Sequence, residues 1–129
     1  MRLYRGTVDD RGRIFFFELD DQLDPVGAPQ LFVEGVGNGW HDGLGMDVCG
    51  NLWAADYETS SLYRVSNEGE IKVMVDWSDD PDQFGHGLVW GSGEGGWRDD
   101  ALYVPVPAGG SLVHEVIVGV PAAVLPDRR

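Results

Sequence analysis

Apolar residues in this chain come in short runs, rich in β-branched and aromatic side chains, and each run is bounded by Gly, Asp, Asn or Pro. The runs are Arg2–Val8, Arg13–Leu19, Gln30–Glu34, Gly43–Val48, Asn51–Tyr57, Ser61–Val65, Glu70–Asp76, Gly87–Gly91, Ala101–Val106 and Ser111–Val118. Strands of this length, separated by glycine-containing turns, predict an all-β meander. No segment keeps apolar residues at i, i+3, i+4 and i+7 over three turns, so the pattern predicts no amphipathic helix.

The runs also repeat. Asp42-Gly43-Leu44 is echoed by His86-Gly87-Leu88, Leu52-Trp53 by Leu102-Tyr103, and Ser61-Leu62 by Ser111-Leu112. An earlier copy starts at Leu3-Tyr4 and continues through Ile14 to Leu31-Phe32-Val33. A period of about 44 residues with four strands is the size of a propeller blade. The first copy lacks an innermost strand, so the fold class predicted is all-β, a partial β-propeller of about two and three-quarter four-stranded blades. Residues 1–129 are read as a single domain or part of one, here part of a propeller domain. Fewer than three blades cannot close a ring, which predicts either a piece of a longer chain or self-association through open blade edges. A compact β-sandwich is the alternative.

Composition narrows the function. Gly 19 and Pro 7 in 129 residues suit turns better than helices, and aromatic residues at 11% argue for a buried core rather than disorder. The net charge of -13, with basic residues scattered, argues against nucleic acid and against an anionic membrane surface as partners. No apolar run approaches a membrane span. Cys49 is the single cysteine, which excludes an intrachain disulfide and a multi-cysteine zinc site. Met1–Arg5 has no apolar signal-peptide core. Together these features predict a cytoplasmic protein.

The stretch from Trp40 to Ala55, WHDGLGMDVCGNLWAA, resembles the "PDGLAVDAEGNLWVA" signature of the regucalcin, gluconolactonase and luciferin-regenerating-enzyme family. Ser61–Ile71 is similar to that family's "GRVVRFDPDGEV", and Arg13–Asp20 with Pro29–Gly35 to "RIWRFDLD…PRLFAEG". Gly87–Gly91 with Ala101–Val104 resembles "NLAFGG…TLYVT", and Val116–Pro121 the closing "VDVGVPG". The resemblance covers nearly the whole chain and implies the C-terminal part of a six-bladed propeller. It further implies hydrolysis of a sugar lactone or similar ester. The implied cofactor is a divalent cation, calcium first, with zinc, magnesium or manganese as alternatives. Of the family's metal ligands only the Asp of "PDG" has a counterpart, Asp42. A non-catalytic binding module, and a propeller enzyme of the strictosidine-synthase or paraoxonase type, are the alternative readings.

Asp42 is a sensible ligand on chemistry alone. It precedes an inner strand, beside a glycine that permits close approach, and a carboxylate there suits a hard cation. It could also position or deprotonate a water. The plain alternative is a turn-capping carboxylate. His86 holds the equivalent place one repeat later, where it could bind substrate or shuttle a proton, or simply line the channel through hydrogen bonds. His41 takes a place where the family has Pro, and His114 reads as a surface residue. Gly91–Gly96 satisfies G-x-G-x-x-G but leads into a strand rather than a helix, so it reads as a loop. Asp79-Asp80-Pro81-Asp82 resembles a calcium loop in composition only. Cys49, in a tight turn, is not a credible nucleophile.

Overall fold

The computed structural model describes residues 1–79, 85–106 and 112–124. Ten strands form three antiparallel sheets, and there is no helix among the described residues. The first sheet holds β1 (Arg2–Gly6), β2 (Ile14–Leu19) and β3 (Pro25–Val33). The second runs β4 (His41–Met46), β5 (Leu52–Asp56), β6 (Ser61–Val65) and β7 (Ile71–Asp76) in order. The third has β9 (Ala101–Val106) between β8 (Val89–Trp90) and β10 (Leu112–Ile117). Every apolar run of the sequence thus carries one strand. β3 starts earlier than its apolar run, at Pro25, because Glu18 and Leu19 pair with Val26 and Pro25 across a bulge.

The sheets pack face to face in chain order. One core cluster joins Ile14, Val36, Leu52, Ala54, Tyr63 and Val65, with Tyr4 and Phe32 against it, and so ties the first sheet to the second. Another joins Trp53, Leu62 and Leu102, with Val116 and Trp90 against it, and ties the second to the third. The middle sheet is therefore covered on both sides, and every residue of β5 is buried. That explains why Leu52–Asp56 shows no polar alternation: a strand covered on both faces has no wet side.

Strand pairing refines the repeat. Leu3 pairs with Phe17, Leu52 with Val65 and Leu102 with Val116. The chain between the last pair is one residue longer than between Leu52 and Val65. Leu62 therefore corresponds to Val113, not to Leu112, and a one-residue slip exchanges the two faces. In the second and third sheets the leucine, Leu52 or Leu102, faces the preceding sheet. In the first and second the aromatic that follows it, Tyr4 or Trp53, faces the next.

The sheets do not close into a ring. A four-stranded third blade is also not formed among the described residues. After β10 the chain turns away at Gly119, where the Val118 and Gly119 N–H groups donate to the Asp100 carbonyl (3.0 and 2.9 Å). It returns to the second sheet, where Ala122 bridges Asp47 and the Ala123 N–H donates to the Met46 carbonyl (2.8 Å). Pro121 lacks the N–H that a strand interior requires, which favours this exit. Ser111 and the acidic residues Asp80 and Asp82 lie outside the described residues.

Candidate functional site

Asp42 and His86 meet. They stand 44 positions apart in the sequence, yet the His86 Nδ1 donates to the Asp42 carboxylate Oδ2 at 2.7 Å, and both side chains are about half exposed. The contact is closer than the sequence expects of residues one repeat apart.

Two glycines allow it. A Cβ on Gly43 would lie 2.6 Å from the Gly87 Cα and 2.6 Å from the Leu88 nitrogen, so only glycine lets the start of β4 and the segment before β8 run against each other. Gly87 has φ of +79°, a left-handed turn that an L side chain resists. The His86 N–H is fixed by the Pro105 carbonyl at the end of β9 (2.9 Å).

The other side of the site is aromatic. The Tyr57 ring sits edge-on to His86, with centroids 4.8 Å apart, and Trp40 lies against Tyr57 at 5.9 Å. Buried Asp56 builds this wall. Its carboxylate accepts from the Trp40 N–H (2.7 Å), the Asn38 N–H (3.0 Å), the Thr59 N–H (3.2 Å) and the Thr59 hydroxyl (2.7 Å). One carboxylate thus fixes both loops that flank the start of β4. Sequence reasoning missed Asp56 and Tyr57. The signal was there: an acidic residue inside an otherwise apolar run must find donors once buried.

Asp47 plays a parallel part at the far end of β4. It accepts from the backbone N–H groups of Cys49 and Asn51, the Asn51 amide and the Trp53 indole, all between 2.9 and 3.2 Å. Burial pushes its carboxyl up, but the bonds from Asn51 and Trp53 outweigh burial and hold it below the usual carboxylate value. The Asp and Asn of the "D-x-x-G-N-L-W" stretch are thereby accounted for as turn architecture.

The remaining residues singled out by sequence fall elsewhere. His41 packs on Gly6, and its Nε2 lies 2.7 Å from the Val36 carbonyl, so it ties the first sheet to the second. His114 is not a bare surface residue: it stacks on Trp77 at 5.0 Å. Gly91–Gly96 is an irregular loop before β9, as expected. Cys49 is exposed in the turn between β4 and β5.

A cavity of about 810 Å³ begins two positions further along both segments, at Leu44 and Leu88. Tyr4, Met46, Leu52 and Trp90 also line it, so the first strand of each sheet contributes. Asp42 and His86 are not part of its lining.

No family model matches the chain, and no curated protein matches it.

Proposed function

We propose that the three sheets are blades of a β-propeller and that the Asp42–His86 pair is the reactive part of a hydrolase for a lactone or similar ester. The observation that carries this reading is the 2.7 Å contact between Asp42 and His86 in a half-exposed, aromatic-walled site. The carboxylate holds the ring by Nδ1, which leaves Nε2 to accept a proton. In the step we envisage, His86 Nε2 takes a proton from water as the water oxygen bonds to the lactone carbonyl carbon. The ring C–O bond then breaks, and His86 returns the proton to the departing oxygen. The product is the open hydroxy acid, and Asp42 offsets the positive charge that His86 carries between the two transfers.

A divalent cation, calcium before zinc, magnesium or manganese, belongs to the same proposal. A calcium shell takes about six to eight oxygens. Among the described residues no three His, Cys, Asp or Glu side chains converge. Asp42 and His86 therefore do not build such a shell by themselves. A reducing, cytoplasmic setting fits the exposed, unpaired Cys49 thiol.

Lactone turnover by the full chain tests the proposal. His86→Gln should lower kcat/KM by about 100- to 10,000-fold. Turnover that survives this substitution would remove the pair from the chemistry. The apolar cavity favours one other reading, a non-catalytic binding module. It predicts an apolar ligand that binds equally well to the wild type and to His86→Gln.

A further inference from the structure

Among the described residues the first and third sheets each have one face that no other sheet covers, and the internal repeat shows what those faces are shaped to meet. At the leucine that faces the preceding sheet, Leu52 is 3% exposed and Leu102 0%, whereas Leu3 is 51% exposed. At the position that faces the next sheet, Ile14 and Leu62 are both 0% exposed, whereas Val113 is 53% exposed. The same side chains are thus sealed at the two inner interfaces and open at the two ends. Leu3 stands with Phe15, Phe17 and Leu31 on the open face of the first sheet. Val113 stands with Val89 and Ile117 on the open part of the third sheet's face, beside Tyr103, which the Trp97 ring covers.

The two faces are of opposite kind. One is a backward face like those of the second and third sheets; the other is a forward face like those of the first and second. At the inner interfaces, forward meets backward: Ile14 packs in one cluster with Leu52, and Leu62 in one cluster with Leu102. Charge follows the same sense, since exposed Arg5 lies on the backward face and Glu115 on the forward face. Large exposed apolar faces mark contact surfaces. Unlike faces that complement each other make head-to-tail contacts, which either close into rings or run on as filaments.

We infer that two copies of this chain close head to tail into a ring of six sheets, the forward face of each third sheet covering the backward face of the other copy's first. Six lies within the range of blade numbers at which propellers close. Val113 then meets Leu3 of the second copy as Leu62 meets Leu102. This places the self-association on sheet faces rather than on strand edges. It rests on the stacking of the sheets and on their reading as blades, not on the hydrolase chemistry.

Light scattering on the eluting full chain reads the outcome without reference to activity. The expected mass is twice the 14.1 kDa chain. Leu3→Asp and Val113→Asp should each halve that mass. Because a lone copy could lose its fold, a second measurement uses intact faces: Leu3→Cys with Val113→Cys in a Cys49→Ser background, treated with a short bis-maleimide. The doubly substituted chain should give a covalent dimer, and chains with either cysteine alone should not. A wild-type monomer, an open-ended polymer, or a dimer cross-linked as well by one cysteine as by two would overturn the inference.

Discussion

Among the described residues two carboxylates are buried, Asp47 and Asp56, and each holds a turn because its oxygens face converging donors. Asp56 accepts four hydrogen bonds from the two loops beside the candidate site. Replacing it with Ala would leave those donors unmet, at a cost of about 2–4 kcal/mol. Chemical denaturation should show that loss, and the Tyr57–His86 contact should loosen with it. Asp47 and Asp9, together with Asp76 beside Ser78 and Asp100 beside Arg98, shape the acid limb of stability. The Arg13 guanidinium holds Asp9 down from 3.8 to about 2, and Asp47 is held low by Asn51 and Trp53. A carboxyl that releases its proton more readily when folded lets the unfolded chain bind more protons as the pH falls. Stability is then complete above the ordinary carboxylate value and is lost towards pH 2. Melting followed by circular dichroism should be level near neutrality and fall below about pH 4, less steeply in Asp9→Asn. A melting temperature that rises with acid would contradict this. At this scale the sequence singles out Asp42 and His86 through the repeat. It marks Asp56 as an acid inside an apolar run, but not its donors, because the path of the loop before β4 follows from packing.

At the scale of elements, close approach of the inner strands decides the site. A Cβ on Gly43 meets backbone, while one on Gly45 meets the Trp90 ring and a Leu88 methyl, which can move. Gly43→Ala should therefore cost about 1–3 kcal/mol and separate Asp42 from His86, with Gly45→Ala milder on both counts. Equilibrium unfolding and lactone turnover of the two variants make the comparison, and equal losses would mean that Gly43 is not the tight point. Core leucines behave differently again: Leu52→Ala and Leu102→Ala should each cost about 2–5 kcal/mol. The ten strands are legible in the sequence because each apolar run is short and flanked by turn residues. Two element features are not. The slip that aligns Leu62 with Val113 depends on hairpin length against cross-strand pairing. The return of Pro121–Ala123 to β4 is a long-range pairing that no local pattern encodes.

For the molecule as a whole, the stacking order turns a linear repeat into a site. Residues in equivalent places of two successive sheets come to face each other where the sheets converge, and the aromatic wall comes from the loops that Asp56 fixes. Separate roles for Asp42 and His86, one for a cation and one for a substrate, follow readily from the sequence. Their direct contact does not, because it depends on the angle and spacing between sheets. The central claim is that the two side chains act as one chemical unit. A double-mutant cycle on kcat/KM for lactone hydrolysis, with Asp42→Asn, His86→Gln and the pair in the full chain, tests it most directly. Groups that act together are strongly non-additive. The account predicts that each single substitution costs about 100-fold or more and that the double variant is scarcely worse than either. Losses that multiply, with the double variant near the product of the two, would show two independent residues and contradict it.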